Sequence, residues 1–137
     1  MRKALAGILG ILAALFGTSA SAQVAQGIKA YARGEYTTAM RAFEAGAAKG
    51  GHYKAGNELG ILYIEGRGVP RDPIEGMAWI YPATHASIMD SSAMANAIQA
   101  AGLLDRAQIQ EAQARGQTYF RRYIAPNRAV VRALSGG

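Results

Sequence analysis

The stretch Gly51–Asp72, GHYKAGNELGILYIEGRGVPRD, decides the architecture. From His52 to Glu65 its apolar residues recur at three and four, which is the helical period. Leu59, Ile61, Leu62, Tyr63 and Ile64 nevertheless run almost all the way round the helix. A helix without a continuous polar face is buried on two sides, so this one belongs in the middle of a stack. Gly60 inside it gives a neighbouring backbone room to approach closely. Gly66-Arg67-Gly68-Val69-Pro70-Arg71 has the composition of a loop. Asp72 then opens the next helix as an N-cap, and Pro73 follows where a missing N–H costs nothing. Glu75 stands at the third helical position, where a capping box would use it.

Segments of the same kind lie on either side. Val24 to Arg33 reads as a short helix with Ile28, Tyr31 and Ala32 on one side, broken at Gly34-Glu35. Tyr36 to Lys49 carries an apolar stripe of Tyr36, Ala39, Met40, Phe43 and Ala47 and stops at Gly50-Gly51. Beyond Asp72, a stripe of Met77, Ile80, Tyr81 and Thr84 forms with Trp79 beside it. Pro82 cannot donate to the carbonyl of Ala78, so the helix is expected to end early or kink there. Asp90-Ser91-Ser92 caps an alanine-rich helix that ends at Gly102. Asp105 with Gln108 marks one more capping-box start. The last helix is expected to run to about Ile124, with Ile109, Ala112, Gly116, Tyr119, Phe120 and Tyr123 inward, and to close at Pro126.

Sustained two-residue alternation is absent, so strands are not expected. Gly34-Glu35-Tyr36 with Ala39 and Phe43 returns as Arg71-Asp72-Pro73 with Gly76 and Ile80, 37 residues later. A period of that size belongs to helix-turn-helix solenoids, whose pairs bury their apolar faces only against neighbours. The expected fold is all-α: a short right-handed α-solenoid of about three antiparallel helix pairs.

At Gly51–Asp72 the chain resembles the Sel-one-like repeat, a relative of the tetratricopeptide repeat. Ala55, Leu59, Gly60, Leu62, Tyr63, Gly66, Gly68, Val69, Asp72 and Trp79 stand in that family's order. Tyr31 to Gly50 resembles the half-unit with which such proteins open. Asp90 to Tyr123 resembles a degenerate closing unit, with Leu103, Leu104, Asp105 and Ile109 in sequence. Three residues depart from the pattern: Gly76 replaces an alanine, Ile80 an aromatic, and Pro82 interrupts the second helix. The resemblance implies an adaptor or scaffold that binds protein along a concave face.

The ends of the chain have a different character. Arg2 and Lys3 precede the apolar run Ala4 to Phe16, and Ala20-Ser21-Ala22 before Gln23 has the small-x-small form of a signal-peptidase site. The run is shorter than the roughly 18 residues of a spanning helix. Residues 1–22 are therefore expected to be a signal peptide cut between Ala22 and Gln23, leaving the repeat domain over 23–124 and a flexible basic tail over 125–137. The expected compartment is the periplasm or the outside of the cell. Cysteine is absent, which removes disulfides, a thiolate nucleophile and thiolate metal ligation. Without Arg2 and Lys3, 13 basic residues face 9 acidic ones, a net +4.

Catalytic chemistry finds little support. His52 and His85 lack the spacing that puts two ligands on one helix face, and Gly66-Arg67-Gly68 lacks the strand and the lysine of a phosphate loop. Neither a cofactor nor a metal is implied. Three functional readings follow. In the first, a protein partner meets the polar residues of the third helix, Lys54, Asn57 and Glu58, on the concave surface. In the second, Arg115, Arg121, Arg122, Arg128 and Arg132, which no acidic residue follows, grip anionic lipid, cell-wall polymer or an acidic protein. The third is a weak hydrolase acting on cell-wall material. Nucleic acid fits poorly with export.

Overall fold

The computed structural model describes residues 19–49, 52–85 and 91–127. Its order is α1 (Ala20–Ala32), α2 (Tyr36–Glu44), α3 (Tyr53–Glu65), α4 (Pro73–Thr84), α5 (Ser91–Ala101) and α6 (Arg106–Tyr119). Two helices widen at their ends into a π turn, α2 over Ala45–Lys49 and α6 over Phe120–Ile124. Consecutive helices pack together as α1/α2 and α3/α4, whereas α5 and α6 each pack on α4, and no strand occurs among the described residues. This is an all-α solenoid of six helices among the described residues. The expected stop at Gly50-Gly51 and the Asp90 cap lie outside the described residues.

α1 begins four residues before the expected Val24, because the Ser19 hydroxyl accepts the Ala22 N–H at 3.1 Å and caps it. The Ala22–Gln23 bond thus lies in the first turn of this helix. Its buried face is Val24, Gly27 and Ala30, whereas Ile28 is 52% exposed and Ala32 is also exposed. Of the expected side only Tyr31 turns inward, half-buried against the core. A Cβ at Gly27 would lie 2.4 Å from the Phe43 ring, so the helices meet across that glycine. An apolar count gives glycine no weight, so the contact face was not visible in it.

The stripe of α2 is as read, with Ala39, Met40, Phe43 and Ala47 all buried. The internal repeat also holds in space. Phe43 and Ile80, matched by register, are 1% and 0% exposed, and both Ala39 and Gly76 are buried. α3 buries Ala55, Leu59, Leu62 and Ile64 and packs against α2 on one side and α4 on the other. α4 shares the central place: Trp79, Ile80, Pro82 and Ala83 are buried, and it packs on α3, α5 and α6.

Two prolines do less than expected. α4 passes through buried Pro82 and ends only after Thr84. There the Thr84 hydroxyl donates to the Tyr81 carbonyl at 2.7 Å, and His85 Nδ1 lies 3.1 Å from the same oxygen. Backbone of α6 covers the region, since a Cβ at Gly116 would come within 3.0 Å of the Ala78 oxygen and 2.4 Å of Tyr81 Cβ. Packing holds the last turn that local sterics disfavour. Pro126 likewise does not close α6, because residues 125–127 remain helical.

The α3–α4 turn satisfies its own backbone. Gly66 ends α3 in the left-handed conformation, and Gly68 also has positive φ. Arg67 N–H donates to Leu62 O, Arg71 Nε to Ile64 O and Asp72 N–H to Tyr63 O. These bonds take up carbonyls that a helix end leaves open. Asp72 caps α4 through the Glu75 N–H at 3.1 Å, but the Glu75 carboxylate does not return to the cap. It reaches α6 instead. Glu75 Oε1 accepts from the Tyr119 hydroxyl at 2.7 Å and Oε2 from Arg115 at 3.0 Å. Arg115 also pairs with Glu111 one turn earlier. Trp79 stacks on Tyr119 with ring centroids 4.3 Å apart. Burial, then the hydrogen bond to Glu75, pushes the Tyr119 phenol well above its ordinary range. Arg115 is thus a clamp between α4 and α6, not part of an unopposed basic surface.

His52 precedes α3, and its Nδ1 is buried without a hydrogen-bond partner among the described residues. Burial, then the Lys54 charge, holds the ring below its ordinary value.

Two stability tests follow from these contacts. Tyr119→Phe should lose about 1.5–3 kcal/mol in urea unfolding, the worth of a hydrogen bond to a charged group. Arg121→Gln and Arg122→Gln should each stay within about 0.5 kcal/mol of the parent; equal losses would deny the clamp. With the folded His52 pKa depressed, the unfolded chain binds the proton more readily, so stability falls as pH drops below about 6.5. That component should vanish in His52→Gln, and an unchanged slope would contradict it.

Candidate functional site

Helices α1, α3 and α5, the first of each successive couple in chain order, share one open face. A groove of about 300 Å³ crosses it, lined by Tyr31 from α1, Glu58, Ile61, Ile64 and Glu65 from α3, and Asn96 and Gln99 from α5. Each contributing helix presents this side because its other side is committed: Ala30, Leu62 and Ala93 turn into the core.

One end of the groove is held by a polar network. The Tyr31 hydroxyl donates to Glu65 Oε2 at 3.2 Å, and Arg67 donates to the hydroxyls of Tyr31 and Tyr36 at 3.0 and 3.1 Å. Arg67 Nε lies 3.2 Å from the Glu65 carboxylate, and its guanidinium sits 5.1 Å from the Tyr36 ring centre. The network joins the first helix pair to the turn of the second. Burial, then the negative charge of Glu65, raises the Tyr31 phenol above its ordinary value. Tyr31 is therefore a neutral hydroxyl with its proton directed at Glu65.

Beneath the groove, Asn96 Nδ2 donates to Asn57 Oδ1 at 3.2 Å and ties α5 to α3. Asn57 is 3% exposed. Its expected place facing a partner is corrected: it is a seam residue, and burial of its amide is compensated by a hydrogen bond from the next repeat. Glu58 does line the groove, while Lys54 is exposed one turn away and outside its lining. Sequence reasoning missed Tyr31, Ile61, Glu65, Asn96 and Gln99. Their signal was the repeat itself, since they fall on the open side of successive first helices.

The arginine-rich end is divided. Arg115 belongs to the Glu75 clamp, as described. Arg121 and Arg122 are exposed, with the Arg122 guanidinium 5.4 Å from the centre of the Tyr123 ring. Arg128 lies outside the described residues. His85 stacks on Tyr81 with centroids 4.1 Å apart and serves the end of α4. Among the described residues no cluster of His, Cys, Asp and Glu could hold a metal ion. The groove offers carboxylates, amides and one apolar patch at Ile61, which suits hydrogen bonding to a polypeptide.

No family model matches the sequence, and no curated protein matches it. A solved structure does: a protective antigen present in uropathogenic Escherichia coli strains that displays an SLR fold, where SLR is the Sel-one-like repeat. The two superpose with a TM-score of 0.70 at 26% sequence identity. The match covers 85% of this chain and 25% of the antigen, so the chain spans about a quarter of the antigen's length. The paired helices, the turn through Gly66 and Gly68, and this superposition give the chain an SLR fold, a helical repeat of the tetratricopeptide-like class.

Proposed function

We propose that the protein is an exported adaptor that holds a protein partner along the groove across α1, α3 and α5. One observation carries the reading: residues from all three first helices meet on a single open surface, with Glu58, Glu65, Asn96 and Gln99 around Ile61. A solenoid binds extended segments on such a face. Carboxylates and amides there accept and donate hydrogen bonds to a bound chain, and Ile61 supplies a dry contact. The basic, apolar and small-residue segments of positions 1–22 support export. None of the helices among the described residues is long and apolar enough to cross a membrane. A second reading, contact with an anionic envelope component through Arg121 and Arg122, draws support from their exposure. The tie of Arg115 to Glu75 weakens it by one cation.

A photo-crosslinking residue placed at Gln99, compared with one at exposed Gln110 on α6, tests the adaptor in the periplasmic fraction. The expected result is a discrete protein adduct from Gln99, none from Gln110, and an intact mass for the captured chain that begins at Gln23. The same adduct from both positions, or from neither, would overturn the groove. A retained Met1 would overturn export.

A further inference from the structure

A second depression, of about 370 Å³, lies between α1 and α2 and shares no residue with the groove. Gln26, Lys29 and Arg33 recur at three and four along one side of α1, and Thr38 with Arg41 faces them from α2. Ala30 and Ala42, both buried, form the floor. Three cations therefore stand around one cleft, and no acidic residue lines it. Glu35 pairs with Arg33 at 3.2 Å, but both side chains are at least half exposed, where such a pair is worth little. Among the described residues neither Lys29 nor Arg41 has an ion-pair partner.

This arrangement selects its ligand by chemistry. Two alanine methyls at the base accept a short apolar stem. The rim offers a planar guanidinium fork from Arg41, a point charge from Lys29 and a hydroxyl from Thr38. A glutamate or aspartate side chain has the matching form, a carboxylate on one or two methylenes. Converging positive charge also draws an acidic chain in from solution. A lipid surface matches less well: the site is concave, and the exposed large apolar residue of α1, Ile28, is not in its wall. We infer that the cleft between α1 and α2 is a docking site for an acidic segment of a protein partner, opposite in character to the carboxylate-bearing groove and independent of it.

The test uses the full chain as recovered from cells and a capped hexaglutamate peptide as probe, with capped hexaglutamine as its uncharged counterpart. Hexaglutamate should bind and hexaglutamine should not, and binding should weaken steeply between about 50 mM and about 300 mM salt. Lys29→Gln with Arg41→Gln should reduce hexaglutamate affinity by about tenfold or more, with helicity and melting unchanged. Gln99→Ala and the pair Arg121→Gln with Arg122→Gln should bind the peptide as the parent does, which separates this cleft from the groove and from the C-terminal arginines. Parent-like binding by the Lys29/Arg41 variant would overturn the inference. So would loss of binding on changing Arg121 and Arg122, or phosphatidylglycerol vesicles bound through Lys29 and Arg41 in preference to the peptide.

Discussion

The fold depends on how closely α3 and α4 approach. A Cβ built on Gly60 would lie 2.5 Å from the Gly76 oxygen and 2.6 Å from Ile80 Cγ1. Built on Gly76, it would lie 2.7 Å from both the Gly60 oxygen and Ile64 Cγ1. A Cβ at Gly56 would come within 2.8 Å of the Trp79 oxygen. The two backbones thus touch along a line of glycines, and the large side chains beside it, Leu59, Leu62 and Ile80, are sealed from water. Each glycine gives up about 1 kcal/mol of helix propensity relative to alanine. Burial of three large apolar side chains, at about 1.5–3 kcal/mol each, outweighs that. Gly76 stands where the family pattern has alanine, and the proximity of Gly60 and Ile64 is its physical reason.

The working surfaces hang from this contact. Close approach sets the turn so that Gly68 tucks against the start of α2, where a Cβ would lie 2.6 Å from the Tyr36 oxygen. Arg67 is thereby brought to Tyr31, Tyr36 and Glu65, and the end of the groove is fixed. On its far side α4 presents Glu75 and Trp79 to α6, where Arg115 and Tyr119 meet them. The Asn57–Asn96 bond closes the seam to α5. Both the groove and the clamp are therefore contacts between repeats, as expected of a fold whose units are stabilised by their neighbours.

What could be read from the sequence was local or periodic. Asp105 and Gln108 form the capping box that their spacing indicated, with both hydrogen bonds made, because such a box needs only four consecutive residues. Register across one repeat placed Phe43 and Ile80 correctly in the core. What escaped was set by partners distant in sequence. Asn57 looked like a surface residue because its partner stands one repeat away. Arg115 looked unopposed because no acid follows it in the chain; it pairs with Glu111 one turn earlier and with Glu75, 40 positions earlier. Ile28 looked inward because Gly27, the residue in contact, has no side chain to count. Pro82 obeyed a local rule only in part, since packing from α6 supports the turn beyond it.

Unfolding free energies of Gly76→Ala and Gly102→Ala, measured beside the parent, test the central contact most directly. At a helix position with free space, alanine for glycine gains about 1 kcal/mol. At Gly76 the opposite is expected, a loss of about 1–3 kcal/mol from overpacking against Gly60 and Ile64. Gly102, where the nearest atom to an added Cβ is 3.4 Å away, should tolerate the change. A Gly76→Ala protein as stable as the parent, or more so, would show that α3 and α4 are not held together across their glycines.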